Sequence, residues 1–566
     1  MFVTAVLIGI YSYLILALGL IGVLYRQNII ILTIIYISVL IFLYRTYVIR
    51  SIYLVFERVK RVEKLIGNSS RLRSNNKNVN IFTLVFLGLI ISQAFVNLIG
   101  SLGPELGFDA LWYHLTIPKL YLESHSVFYI PGGLLYYSLM PKLTEMLYVG
   151  ALALNGETLA KLIHFSFGLL SLIALYKLSR IFFIPKISLI AVVVFYSNLV
   201  VGWQSTTAYV DLARTFFEIM ALCGFVNWWK KGEKKWLVES AVMLGLAVST
   251  KLLALGSLII FTVLLVYTLF FKNPPRRSHG FADAQPATVR GAAIIKLFVY
   301  WVICLLIPLP WFVFSFVNTG NPIYPFFTEI YKVGFDMELL NPIRFVRDVW
   351  GMFIKLSDPI SPMYIIFLPL IVILFKKFKP DIKLIAIYSF LAIVVWYVTP
   401  RTGGGRFILP YLTIFSVLIA AIVEKTKDKI FRLILINVII IVSFISIIYR
   451  GVANAKYIPA IFSLQSKSDF LEKHLNFSFG DFYDIDGYFK NNIKQEDTVL
   501  LYGFHNLYYV DFPFIDSSWV KKGDTFNFIA SQNISLPKRF NDWDLVYQNP
   551  KTYVKLFSKG GIKWAY

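Results

Sequence analysis

Runs of roughly 17–25 mostly apolar residues recur thirteen times along this 566-residue chain. A helix of that length crosses about 30 Å of hydrocarbon. The bilayer core offers a peptide group no hydrogen-bond partner, so such runs must be helical. They cover 2–25, 28–44, 81–100, 158–180, 187–203, 209–229, 236–250, 251–271, 293–317, 361–375, 383–399, 406–423 and 431–449. The chain is 57% hydrophobic, above the 45–50% or so usual for soluble domains.

The net charge of +23 would suit nucleic acid, but its placement argues against that partner. Most of the excess sits in short loops between apolar runs, as the positive-inside rule requires. The stretch 45–80 holds Arg50, Arg58, Lys60, Arg61, Lys64, Arg71, Arg73 and Lys77 and is therefore expected to be cytoplasmic. Its first half is amphipathic, and either lies on the anionic inner leaflet or is an ordinary solvated loop. Alternation from a cytoplasmic N-terminus then places every basic loop inside: Lys177 to Lys186, Lys230 to Lys235, Lys272 to Arg290, Lys376 to Lys379 and Lys425 to Lys429. The expected location is the plasma or inner membrane, multi-pass, among membrane lipids. The first run is long and lacks a basic leader, so it reads as a retained helix and not as a cleaved signal. Residues 273–290 are rich in Pro, Ala and Arg and read as a flexible linker. Cys223 and Cys304 fall inside apolar runs and read as buried hydrophobes.

The last 117 residues are different: 14 Lys plus Arg and 12 Asp plus Glu leave 450–566 nearly neutral. Apolar runs shorten to strand length at 498–502 and 508–512, 481–490 has the pattern of a short helix, and 561–566 fits a last strand. The expected fold is an α-helical polytopic membrane protein of about thirteen transmembrane helices with a small extracytoplasmic α/β C-terminal domain. Three parts follow: 1–80 with two helices and the basic loop, a membrane core at 81–449 with an external loop at 101–157, and the domain 450–566.

Chemistry gathers on the outer side. In GPELGFDALWYHLTIPKLYLES, Phe108, Leu111, Trp112 and Leu115 form one helical stripe, and Asp109, Tyr113 and Thr116 another. This predicts a helix lying at the membrane interface with its aromatics at headgroup depth. Asp109 would sit just above the bilayer, where a general base could reach a lipid-borne substrate; the plain alternative is a solvated carboxylate. Tyr113 and His114 share its helix and are further candidates. Asp211, in QSTTAYVDLAR, is the second acid, at the outer end of a helix. Arg214 and Glu218 follow on its face, so an intrahelical network is the plain alternative there. Lys251, in LAVSTKLLAL, and Arg401 and Arg406, in PRTGGGRFILP, are cations on the side where the positive-inside pattern does not predict them. Arg406 is expected to begin a helix, where free N–H groups favour an anion, and Arg grips phosphate with two parallel bonds. Their plain alternative is snorkelling to lipid headgroups. No histidine spacing fits a metal site. No cofactor is called for; a divalent cation shared by Asp109 and Asp211 is the one the pattern leaves room for. Two carboxylates and several cations on one face suit transfer of a sugar from a phosphate carrier, which needs a base for the acceptor and positive charge on the leaving phosphate.

From about residue 81 to 450 the chain resembles the glycosyltransferase C (GT-C) superfamily, which includes protein O-mannosyltransferases and lipid A aminoarabinose transferases. The resemblance rests on Asp109 in the first large external loop, the stretch MPKLTEMLYVGALALNGETLAKLIH, AYVDLA at a helix start, the GLAVSTKLLAL turn and NTGNPIYPF after a long helix. Tyr324, in the last of these, is a further site candidate. The resemblance implies that Asp109 is the base and that the donor is a polyprenyl-phosphate sugar. The implied activity is inverting transfer to an extracytoplasmic glycan, lipid or protein acceptor. The alternative is a secondary transporter or flippase, for which charges at the bilayer midplane and paired repeats are expected.

Overall fold

The computed structural model describes residues 1–43, 45, 81–271, 286–330, 341–354, 358–399 and 404–566. The basic stretch 46–80, most of the linker at 273–290 and Arg401 lie outside the described residues. The membrane core is a helical bundle: α1 (Phe2–Leu20), α2 (Arg26–Leu43), α3 (Ile81–Leu102), α4 (Thr116–Glu123), α5 (Leu143–Asn155), α6 (Glu157–Ser179), α7 (Pro185–Tyr196), α8 (Leu199–Gln204), α9 (Asp211–Lys231), α10 (Lys234–Thr250), α11 (Ala254–Val266), α12 (Pro286–Leu306), α13 (Leu309–Thr319), α14 (Pro342–Ile354), α15 (Met363–Leu374), α16 (Pro380–Val398), α17 (Leu409–Lys425) and α18 (Lys429–Ala455).

All thirteen predicted runs fall on helices. Among the described residues, α1, α2, α3, α6, α16 and α18 are each long and apolar enough to cross a membrane, and α12 with α13 makes a seventh span bent by 65°. The bend falls at Ile307–Pro308, where proline removes an N–H and its ring crowds the preceding turn. The run 187–203 is likewise broken, between α7 and α8. Asn198 caps α8: its side-chain oxygen accepts from Val200 N–H at 3.4 Å and from Ser361 N–H at 3.2 Å. The charged helix α9 is enclosed by α6, α10 and α17 and is buried along nearly all its length.

Two helices of the membrane core were not anticipated. α5 lies inside the segment read as an external loop and packs on α1, α4 and α6. α14 is an amphipathic helix before α15. The helix carrying Asp109 also differs from expectation: it opens with a π turn, Ala110–His114, that leads into α4. Most of both its stripes is covered, while Phe108 stays exposed at its edge. Leu111 packs with Tyr457, Phe470 and Tyr509, and Phe108 and Trp112 stack on His505 at 4.8 and 4.3 Å.

The cover is the C-terminal domain, entered after α18, which runs on to Ala455. Its strands are β1 (Val499–Tyr502), β2 (Phe514–Asp516), β3 (Thr525–Phe526), β4 (Phe528–Gln532), β5 (Asp544–Asn549), β6 (Val554–Ser558) and β7 (Trp564–Ala565). Five form one sheet in the order β2-β1-β4-β6-β5, with β1 parallel to β2 and β4 and the rest antiparallel; β3 and β7 pair separately. The strands at 498–502 and 561–566 form largely where the sequence put them. Residues 508–512 form no strand, because that segment docks on the bundle. Lys119 Nζ donates to the carbonyls of Tyr508 and Val510, at 3.0 and 2.5 Å, and the Tyr508 N–H donates to the Leu111 carbonyl at 3.3 Å. Only Tyr488–Asn492 is helical near 481–490, because Asp481 is held in a bridge to Asn506.

Candidate functional site

The candidate groups gather at the end of the bundle that carries the C-terminal domain. Asp109 sits at the start of the π turn and is buried. Its Oδ2 accepts from Arg406 Nη1 at 2.6 Å and from the Tyr113 hydroxyl at 2.8 Å, while its N–H donates to the Tyr209 hydroxyl at 3.1 Å. Both side-chain bonds fall on Oδ2, so Oδ1 has no hydrogen-bond partner among the described residues.

Asp211 occupies the first turn of α9, where the helix dipole favours an anion. Lys251 Nζ donates to its Oδ1 at 2.6 Å. Lys251 ends α10 in an extended conformation, and this turns its side chain from the α10–α11 corner toward α9. The intrahelical network expected for Asp211 forms without it. Arg214 Nε donates to Glu218 Oε1 at 2.6 Å, and Ser257 donates to Glu218 Oε2 at 2.7 Å and meets the Tyr411 hydroxyl at 3.0 Å. This network lies deeper in the bundle, and the pairing offsets the cost of burying charge.

One ring links the two acid–cation pairs. Phe407 has the Arg406 guanidinium 5.1 Å and the Lys251 ammonium 5.3 Å from its centre, and Arg406 also lies 5.4 Å from the Tyr209 ring. Arg406 acts electrostatically on both Asp109 and Asp211. It does not begin a helix as expected. It closes a 3-10 turn, Gly404–Arg406, three residues before α17. A side chain at Gly405 would run into the backbone carbonyl of Asp358, so the turn needs glycine at that point.

Several side chains here were not singled out from the sequence. Asp358 faces Arg406, Asp211 and Asp109; burial pushes its carboxyl up to about 6, against the lowering effect of Arg406. His114 Nδ1 donates to Glu145 Oε1 at 2.9 Å, and Lys142 stands 3.9 Å from the same oxygen. Burial pushes the His114 imidazole below its usual range, with Glu145 opposing, so a neutral ring makes this contact. His114 Nε2, Glu145 Oε2, Asp211 Oδ2 and Arg406 Nε are buried without hydrogen-bond partners among the described residues. Glu145 and Lys142 stand in the quoted MPKLTEM stretch, where two charges inside an otherwise apolar run were a usable signal. Glu105, fully buried, is a staple: it accepts from the N–H groups of Leu106, Gly107 and Ala208 and ties the Asp109 loop to the segment before Asp211.

Tyr324 stands apart, half-buried near Tyr129. His164 is structural: Nδ1 donates to the Thr207 carbonyl at 2.8 Å and Nε2 accepts from Leu212 N–H at 3.0 Å. Among the described residues no three His, Cys, Asp or Glu side chains group to hold a metal ion, and Asp109 and Asp211 are each engaged by a cation.

Residues 146–303, spanning α9 with Asp211 and the Lys251 corner, match the family model for dolichyl-phosphate-mannose-protein mannosyltransferase. The chain shares its fold with ArnT from Cupriavidus metallidurans. The ArnT structure bound to undecaprenyl phosphate superposes with a TM-score of 0.54 at 13% identity, covering 86% of this chain and 98% of that one. The apo ArnT structure gives 0.50 at 12%, covering 85% and 98%. At such identity the likeness to ArnT is one of fold. No curated protein matches the sequence. The family match covers 158 of the 566 residues, and the likeness of fold to ArnT extends over most of the chain.

Proposed function

We propose that the chain transfers a sugar from a polyprenyl-phosphate-linked donor to an extracytoplasmic acceptor by a single inverting displacement. The observation that carries this is the arrangement of Asp109 with Arg406 and Asp211 with Lys251 around one ring, at one end of the bundle. In the reaction, Asp109 Oδ1 takes the proton of the acceptor hydroxyl. The acceptor oxygen bonds to the anomeric carbon as the bond from that carbon to the phosphate oxygen breaks, and the electron pair leaves with the polyprenyl phosphate. Arg406 and Lys251 offset the charge on that phosphate, and Arg401 is the third candidate beside them. Tyr113 and Tyr209 hold the base in place. The ArnT structure with undecaprenyl phosphate supports a polyprenyl carrier by analogy of fold.

The reading places the domain-bearing end outside the cytoplasm and the N-terminus inside. Its support is the basic residues at the other end of the helices, such as Lys177, Lys230 and Lys425. A reporter active only in the cytoplasm, fused after Tyr566, should be silent; a strong signal reverses the topology. For the chemistry, Asp109→Asn keeps size and hydrogen bonding but cannot take the proton. Transfer from a polyprenyl-phosphate sugar in liposomes should fall by about 10²–10⁴-fold, with the anomeric configuration of the wild-type product inverted by NMR. Unchanged transfer removes Asp109 as base. A retained configuration requires a double displacement with a carboxylate nucleophile.

A further inference from the structure

Two neighbouring cavities of about 520 and 280 Å³ open where the start of α6 meets the C-terminal domain, and they share Gly156, Glu157, Lys467 and Tyr508 as lining residues. Together they fall in the range typical of small-molecule sites, about 300–1,000 Å³. Glu157 is only 6% exposed. Its Oε1 pairs with Lys467 Nζ from the C-terminal domain at 2.9 Å, and its Oε2 has no hydrogen-bond partner among the described residues. The Tyr508 and Tyr509 phenols interact with the same carboxylate, and Lys467 lies 5.1 Å from the Tyr509 ring centre. Part of the wall is fixed: Lys161 Nζ donates to the Gly103 and Pro104 carbonyls at 2.6 and 3.0 Å.

We propose that these cavities form a glycan-binding subsite that seats a neutral, hydroxyl-rich segment of the acceptor. This rests on the transferase reading above. A carboxylate oxygen without a partner accepts hydroxyl hydrogen bonds, an ammonium donates them, and tyrosines supply both bonds and ring faces. The lining carries three carboxylates, Glu157, Glu123 and Asp511, and two ammonium groups, Lys467 and Lys119, and each carboxylate lies within 4 Å of one of these cations. A phosphate would meet three carboxylates there, and a basic peptide would have to displace cations already paired with them, so neither suits the site as well as an uncharged sugar. The subsite also adjoins the transfer site. Tyr508 donates from its backbone to Leu111, in the π turn two residues after Asp109, and Pro104 begins the loop that leads to it.

The test is binding without turnover, so it stands or falls separately from the chemistry of Asp109. Full-length protein in lipid nanodiscs, with no donor, is applied to an array of neutral and anionic tri- to hexasaccharides. Wild type should retain neutral saccharides. Glu157→Gln and Tyr508→Phe should each weaken retention by about ten-fold, the order expected for one lost hydrogen bond to a charged or polar group, with melting temperature unchanged. Tyr508→Phe keeps the ring and removes only the hydroxyl, so it remains informative if Glu157→Gln folds poorly. Retention of no neutral saccharide by wild type, preference for anionic ones, or wild-type binding by well-folded variants each overturns the subsite. If binding behaves as expected but Asp109→Asn transfers normally, only the assignment of the base fails.

Discussion

Replacing Lys251 by methionine separates a structural ion pair from a phosphate-binding cation. The Asp211 side chain is fully buried, and its one direct charged partner among the described residues is Lys251 at 2.6 Å. Its other oxygen has no partner to compensate. Removing one member of such a pair costs about 3–5 kcal/mol, because the remaining charge is stranded. The first turn of α9 offsets about 0.3–1 kcal/mol of this through the helix dipole, leaving a loss of about 3 kcal/mol. Asp211→Asn alone should cost less, since Lys251 retains some exposure and can turn toward water. The double variant strands no charge and should recover part of the loss, giving a coupling of about 2 kcal/mol in a double-mutant cycle. Denaturation of the detergent-solubilised protein measures the cycle, and titration with donor measures phosphate recognition in the same samples. A coupling below about 0.5 kcal/mol would refute the argument that this contact is an energetic pair. A stable double variant that bound donor and transferred sugar at the wild-type rate would reduce Asp211 and Lys251 to a structural staple.

Two further outcomes follow from the Arg406 turn. Gly405→Ala places a methyl group against the Asp358 backbone carbonyl; the turn must shift, and donor affinity should fall by about ten-fold or more as Arg406 leaves its position, read as a rise in the donor Kd with the fold intact by circular dichroism. Asp358 predicts a pH dependence: its folded pKa of about 6 is raised by burial, so it is ionised at pH 7.5 and becomes neutral as pH falls through 6. Loss of that negative charge beside Arg406 should tighten donor binding by roughly 3–10-fold between pH 7.5 and 5, since a phosphodiester keeps one charge throughout. Asp358→Asn should bind tightly at both pH values; a wild-type Kd that does not change with pH would refute the link.

The helices were legible because an apolar run in a membrane protein has one backbone solution, and each run became helical, two of them as broken pairs. α5 was missed because it spans 13 residues and carries Glu145, which puts it below the length of a span and breaks the apolar pattern. Residues 508–512 look like a strand for a reason other than a sheet: Tyr508 and Tyr509 face the bundle, Val510 packs in the core of the C-terminal domain, and Lys119 supplies bonds that a neighbouring strand would. At the site, Asp109 and Asp211 could be picked out as acids on an amphipathic stripe and at a helix end, and Lys251 and Arg406 as cations where the expected topology and the charge rule do not place them. Their partners could not. Spacing along α9 offered Arg214 to Asp211, but Arg214 reaches on to Glu218, and the partner of Asp109 is 297 residues away. Asp358 gave no sequence signal, because a lone acid in a loop acquires meaning only when the fold sets it against Arg406.

The pairing bears on how such a site avoids wasting its donor. At rest, Asp109 and Asp211 each hold a cation, so these four groups together are neutral. Arg406 and Tyr113 both bond to Oδ2 of Asp109, so that oxygen is occupied and the carboxylate is fixed in one orientation. A donor phosphate competes with the carboxylates for Arg406 and Lys251. Under the proposed reading, each shift of Arg406 toward phosphate frees Oδ2 of Asp109 and brings positive charge to the leaving group at once. Base and leaving-group activation are then coupled through Arg406. Arg406→Lys should expose this coupling: a lysine cannot hold Asp109 and a phosphate with separate N–H groups of one planar fork. Weakened donor binding together with a slower chemical step, in single-turnover measurements, is the expected result. A loss confined to the donor Kd, with the chemical step at the wild-type rate, would show that Arg406 serves the phosphate alone and that the resting pair with Asp109 has no part in catalysis.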